Sequence, residues 1–280
     1  MISAWPPDDP TSPPARERVS TPRDEPRTIR ASFAERSYAS GEAALLTLLA
    51  DAPVVTLRMF HAGPEGTRNR RPDVMTGRLV SLLRKIELGG AAVVRVPIGT
   101  WKSGLYFARL EAPGGYLGHA PVVVRPKKLG ESRLAVVLPT NTWQAYNFRD
   151  VDGDGVGDTW YAHPRIPCVD LTRPYLDRGP SARIRGFLRW FEHGGREADF
   201  LSDDDLDRVK SGYELARLYD LVVFASHEEY VTSHVWDVTE RYRDLAGEPR
   251  VPLREHVLLS RRASRPSDLP HGPVEGPRAQ

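Results

Sequence analysis

The run Leu134–Leu138, "LAVVL", is apolar at every position and is closed off by Pro139. It shows neither the alternation of a half-buried strand nor the three-and-four spacing of an amphipathic helix. A strand apolar on both faces has to be covered on both faces, which is the condition of a strand in a parallel sheet flanked by helices. The segments that follow keep to that pattern. "IRGFLRWFEHGG" places Ile184, Leu188 and Phe191 at helical spacing and ends on Gly194-Gly195. "READFLSDDDLDR" reads as a short strand, then a Ser202 N-cap with Asp205 three residues on. "YDLVVFASHEEY" is a second buried strand, and "SHVWDVTERYRDL" is helical, with Trp236 and Tyr242 on different turns. Strand and helix in alternation predict a parallel α/β layer. Ligands of such layers collect beyond the carboxyl ends of the strands. Two loops lie there, one after "AVVLP" and one after "LVVF".

Upstream the grammar differs. "VVTLRMFHA" (54–62), "AAVVRVPIG" (91–99), "GLYFARLEA" and "APVVVRP" have strand character, and the Pro113-Gly114-Gly115 turn makes a hairpin of the last two. Many strands with few helices predict a β-sandwich of immunoglobulin-like type. The expected organisation is therefore α+β with two domains. Residues 1–27 form a disordered leader rich in Pro, Asp and Arg, 28–126 the sandwich, 127–246 the α/β layer and 247–280 an irregular tail.

Composition excludes several classes. A formal charge of +2, with arginines dispersed and no lysine-rich tract, gives no electrostatic basis for binding nucleic acid. No apolar run approaches the roughly 20 residues needed to cross a bilayer, so no membrane partner is expected. The first residues lack the apolar core of a signal peptide, which makes a cytoplasmic location the default; a different start codon would leave export open. The single cysteine, Cys168, rules out an intrachain disulfide and a thiolate cluster, and is expected to be a partly buried structural thiol.

The two exit loops carry the candidate chemistry. In "NTWQAYNFRDVDGDGVGDTWY", Asp150, Asp152, Asp154 and Asp158 stand at positions 1, 3, 5 and 9 of a calcium loop, with Gly155 at position 6. Tyr161 takes the place of the bidentate Glu at position 12. The alternative is an acidic turn closed by Asx-type bonds and Arg149. Trp143, Tyr146, Phe148, Trp160 and Tyr161 could line a pocket or wedge the loop onto the sheet. "SHEEY" supplies His227, Glu228, Glu229 and Tyr230, whose hard oxygen donors suit an oxidised iron or another hard cation. The competing reading makes His227 structural and Glu228 a solvated charge. No nucleophile elbow, Walker loop or dinucleotide fingerprint stands in its required context, and His61 has no assignable partner.

The order of "WKSGLYFARLEA…GHAPVVVRP", "AVVLPTNTWQAYNFRDVDGDGVGDTWY", "RPYLDRG", "GFLRWFE", "DFLSDDDLD" and "YDLVVFASHEEYVTSHVWDVTERYRDL" resembles the N,N-dimethylformamidase large (beta) subunit-like family, in its C-terminal-domain group. The likeness spans roughly 28–245. It implies a β-sandwich followed by a glutamine-amidotransferase-like (flavodoxin-like) α/β domain. It further implies Fe(III) held by two tyrosines and a glutamate, hydrolysing a small amide. The H-x-E-Y signature falls on His227, Glu229 and Tyr230. On this carry-over Glu229 and Tyr146 are metal ligands, Tyr161 or Tyr175 the second tyrosine, and His227 the catalytic proton-transfer partner. A second hypothesis is a non-catalytic binding protein that uses the sandwich and the aspartate loop, with calcium as its ion.

After Leu245 the resemblance stops. The tail "AGEPRVPLREHVLLSRR…" is rich in Pro and Arg and has no period. Back-translated with GC-rich codons and read one base over, it yields "ANLAFLSANTFF", the strand with which the family continues. The expectation is a frameshift near Leu245–Gly247 that leaves the α/β domain incomplete. Such a chain would have little or no activity and would self-associate through an exposed sheet edge.

Overall fold

The computed structural model describes residues 29–63, 75–150, 153, 155–161, 168–175 and 181–245. The tail, and with it the frameshift reading, lies outside these residues, as do Asp152 and Asp154 of the acidic loop. The fold is mixed α+β, with sheet outweighing helix.

The first part is built from nine strands. Strands β1 (Arg30–Phe33), β3 (Ala43–Leu49) and β7 (Ala91–Pro97) pair antiparallel in one sheet. A second, larger sheet runs in the order β2-β9-β8-β4-β5, from β2 (Ser37–Ala39), β9 (Tyr116–Arg125), β8 (Gly104–Ala112), β4 (Val54–His61) and β5 (Arg78–Leu79). Strand β6 (Arg84–Glu87) also pairs with β4. Gly114 and Gly115, both at positive φ, turn β8 into β9. The alternation in β3 and β4 explains the first core. Leu46 and Leu48 meet Val55, Leu57 and Met59 across the gap between the sheets, joined by Val94, Leu110 and Val122. Each such side chain contributes about 1.5–3 kcal/mol by leaving water.

His61 closes β4. It is buried, and its ring stacks on Tyr106 at 4.5 Å. Burial, then Lys102 and Arg78, pushes its pKa down to about 3. A neutral ring therefore faces Glu192 at 3.6 Å, and the ion pair there is Lys102–Glu192 at 2.6 Å.

The second part is a three-stranded parallel sheet in the order β11-β10-β12, made of β11 (Asp199–Ser202), β10 (Leu134–Leu138) and β12 (Leu221–Phe224). The central strand is the "LAVVL" run, and its two faces enter different cores. Val136 and Leu138 pack with Phe200 against helix α2 (Ser181–His193), through Ile184, Leu188 and Phe191. Ala135 and Val137 face α3 (Asp203–Asp207), α4 (Gly212–Leu218) and α5 (Ser233–Leu245), through Leu206, Leu215, Val235 and Val238. Leu105, Phe107 and Val123 of the larger sheet share the α2 core, so that sheet is covered on both faces. Strand β12 forms one edge of the three-stranded sheet among the described residues and β11 the other, and Leu221 on β12 is 45% exposed.

Candidate active site

The strand order brings three loops to one end. From β10 the chain goes out to β11 on one side and then crosses to β12 on the other. The loops after β10 and β12 consequently diverge at a topological switch point, the place where open α/β sheets bind their ligands.

The segment after β10, read from the sequence as a loop, winds into a six-residue helix, α1 (Thr140–Ala145). Its buried residues are mostly polar (Thr140, Asn141, Thr142 and Gln144), so no apolar period announces it. The buried guanidinium of Arg173 takes the carbonyls at its C-terminus, donating to Gln144 O at 3.0 Å and Asn147 O at 3.2 Å. Tyr146, the C-cap residue, is turned out towards the other loop.

There the Tyr146 hydroxyl donates to Glu229 Oε2 at 2.5 Å. The same oxygen lies 3.0 Å from His227 Nε2. Burial first, then the bond to Glu229, raises the Tyr146 phenol well above its ordinary pKa. The second loop is locked to the first by Thr142 Oγ1, which accepts from the backbone N–H of Glu229 (3.0 Å) and of Tyr230 (3.1 Å). Tyr161 packs its ring on Tyr146 at 4.6 Å, and Phe148 meets Tyr161 edge-on at 5.7 Å. Tyr230 stacks on Trp160 at 5.8 Å and stands T-shaped to Tyr146 at 6.4 Å. An aromatic wall thus surrounds a carboxylate, with Tyr161 and Phe148 about half exposed.

Tyr146, Tyr161, His227 and Glu229 therefore come together. Tyr175 goes elsewhere: it lines a separate cavity with Arg36, Gln144 and Arg173. Trp143 packs into the α2 core and leaves the aromatic set. Glu228 is not a solvated charge but is 3% exposed. Cys168 is exposed and so is no buried structural thiol. In the acidic loop the Asp150 carboxylate accepts from its own turn, from Gly153 N at 2.6 Å and Gly155 N at 2.9 Å. Gly155 there adopts φ +87°, as a sharp turn requires. Among the described residues no three His, Cys, Asp or Glu side chains converge on one point.

Residues with no signal in the sequence complete the floor. Arg36, between β1 and β2, makes a fork with Asp204 and also reaches Asn141 Oδ1. Asp203, at the start of α3, is 1% exposed and accepts from Thr140 Oγ1 at 3.0 Å and Asn141 N at 2.6 Å.

Exit loops at the carboxyl ends of a parallel sheet, with phenol and imidazole meeting on one carboxylate oxygen, belong to the α/β proteins that place their polar chemistry on such loops. Residues 90–248 match the family model described as N,N-dimethylformamidase beta subunit-like, C-terminal, and the chain belongs to that family. No curated protein matches. Solved structures match only loosely. The cycloisomaltooligosaccharide glucanotransferase of Paenibacillus sp. is 16% identical with a TM-score of 0.24, covering 42% of this chain and 17% of that one. The superoxide reductase (neelaredoxin) of Ignicoccus hospitalis is 12% identical with a TM-score of 0.23, covering 36% and 80%. PhoD is 12% identical with a TM-score of 0.25, covering 39% and 22%. The chain thus spans less than a fifth of the length of the glucanotransferase.

Proposed function

We propose that the protein is a metal-dependent hydrolase of a small amide, of N,N-dimethylformamidase type. Tyr146, Glu229 and Tyr161 would hold a hard cation such as Fe(III), with His227 as the proton-transfer group. The observation that carries this reading is the phenol–carboxylate contact of Tyr146 and Glu229, shared with His227 at one oxygen. We assign the two-sheet part to the immunoglobulin-like sandwiches and the parallel part to the glutamine-amidotransferase-like layers, supported by the shared core of the two sheets and the β11-β10-β12 order.

The donor set fits such an ion. Two phenols and a carboxylate are hard oxygen donors. Tyr146 and Glu229 already meet at one oxygen, and they are the residues that would hold the ion. When bound, it would act as a Lewis acid on the carbonyl oxygen of an amide.

The chain's own residues do the rest. The Glu229 carboxylate orients both the Tyr146 hydroxyl and the His227 ring. His227, 31% exposed at its side chain, moves a proton between Nε2 and the cleft. The Tyr161, Phe148 and Trp160 rings give the half-open cleft an aromatic wall that favours a compact, weakly polar substrate.

Metal analysis of the purified protein tests the reading. Tightly held iron with a tyrosinate charge-transfer colour, lost in Glu229→Ala, is the expected result. Iron content unchanged in Glu229→Ala removes that residue from the role, and calcium alone favours the non-catalytic binding reading.

A further inference from the structure

We infer that the sandwich takes part in this site through Arg36, a positioning residue that holds helix α1 and, by way of that helix, both Tyr146 and Glu229. What the positioning serves rests on the function proposed above; the contacts themselves do not.

Arg36 stands in the turn between β1 and β2, outside the residues 90–248 that match the family. Its backbone belongs to the frame of the larger sheet, because its carbonyl accepts from Val123 N of β9 at 2.9 Å. The residue after it is tied down as well, Ser37 Oγ donating to Asp205 Oδ1 at 2.7 Å. From this fixed base the Arg36 side chain, 9% exposed, crosses to the parallel layer. Its Nε donates to Asp204 Oδ2 at 2.6 Å and its Nη2 to Asp204 Oδ1, a fork on one carboxylate. The remaining arm, Nη1, donates to Asn141 Oδ1. A guanidinium is planar and rigid, so the carboxylate on α3 aims it and Asn141 is what it is aimed at.

Asn141 lies in the first turn of α1, and its own N–H donates to Asp203 Oδ2 at 2.6 Å. A helix of six residues without a side-chain cap at its start does not hold by itself in water, so bonds from outside set its place. The next residue passes that placement on. The Thr142 carbonyl accepts from Tyr146 N at 3.0 Å, and the Thr142 hydroxyl accepts from the N–H of Glu229 and of Tyr230. One step along the chain from the group that Arg36 holds, a single residue thus bonds to both partners that meet in the cleft. Displacements of about 1 Å are enough to spoil a reactive geometry.

Amide hydrogen exchange on the full 280-residue chain, without added metal, tests this. Arg36→Gln withdraws the donor, and Asn141→Leu withdraws the acceptor at nearly constant volume. The expected result in both is exchange about tenfold faster or more over 140–147 and at the amides of Glu229 and Tyr230, with β4 and β8 unchanged. The double variant should exchange no faster there than Arg36→Gln alone, because one contact is lost only once. Thr142→Val should free the Glu229 and Tyr230 amides, and Thr142→Ser, which keeps the hydroxyl, should restore them. Unchanged rates in Arg36→Gln would overturn the inference. So would acceleration spread equally through β4 and β8, additive effects in the double variant, or Thr142→Ser behaving like Thr142→Val. If Arg36→Gln does not fold, Asn141→Leu and the Thr142 pair carry the test. A protein that binds no iron yet shows the expected exchange pattern would sink the proposed function and leave this inference standing.

Discussion

Two tyrosine–carboxylate pairs sit at opposite ends of the same three-stranded sheet. At the entry end, Asp199 opens β11 and accepts from Gly130 N (2.8 Å), Ser132 N (3.0 Å) and the Tyr219 hydroxyl (2.9 Å). Both side chains are buried. At the exit end, Glu229 accepts from Tyr146 while sharing that same oxygen with His227, and its side chain is 17% exposed. Both phenols are raised above their ordinary pKa, chiefly by burial. The chemistry is alike and the surroundings are not. The entry pair spreads three donors over its carboxylate and works as a staple. The exit pair crowds two partners onto one oxygen beside solvent, where an ion or a substrate can replace a proton.

The comparison breaks most sharply at Asp199. Asp199→Ala leaves the half-buried Ser132 N–H and the buried Tyr219 hydroxyl without their acceptor, while Gly130 N keeps only its 3.1 Å bond to the Tyr219 oxygen, and should cost about 3 kcal/mol, read from urea unfolding. Tyr219→Phe removes one of those donors and should cost about 1–2 kcal/mol in the same experiment.

Next comes a pH effect at the Asp203–Glu228 pair. Burial pushes Asp203 up to about 6 and Glu228 well above its ordinary range. The folded chain then holds a proton that the unfolded chain releases as pH rises past about 4. More protons are bound when folded, so the pair's contribution to stability falls with rising pH. Glu228→Gln removes this titration and should gain on the wild type between about pH 4 and 7; a constant difference would contradict it.

The smallest effect is expected at Tyr146→Phe, whose stability should stay within about 0.5 kcal/mol of wild type, because its hydroxyl reaches a half-open cleft. A loss as large as that of Tyr219→Phe would make the two pairs equivalent.

Apolar pattern made the frame of the molecule legible. "LAVVL" announced a strand covered twice, and Ile184, Leu188 and Phe191 marked the helix that covers it. The Ser202 cap was legible because its partner Asp205 stands three residues on, and both halves of that capping box are present. Helix α1 was not legible, since its buried face is mostly polar and owes its place to Arg173 and Asp203. The exit-loop rule singled out the two loops and the family resemblance picked Tyr146 and Glu229 within them, whereas Tyr161 rather than Tyr175 as the neighbour of Tyr146 is set by packing. The burial of Arg36, Asp203 and Glu228 left no mark in the sequence because it is set by contacts far away along the chain, such as Arg36 with Asp204 across 168 residues.

The direct test of the central claim is titration of the protein with Fe(III), monitored by visible absorption, in wild type, Tyr146→Phe and Tyr219→Phe. A tyrosinate-to-iron band in wild type and Tyr219→Phe that disappears in Tyr146→Phe is the expected result. No band in wild type, or a band that survives Tyr146→Phe, would contradict a metal centre built on Tyr146 and Glu229.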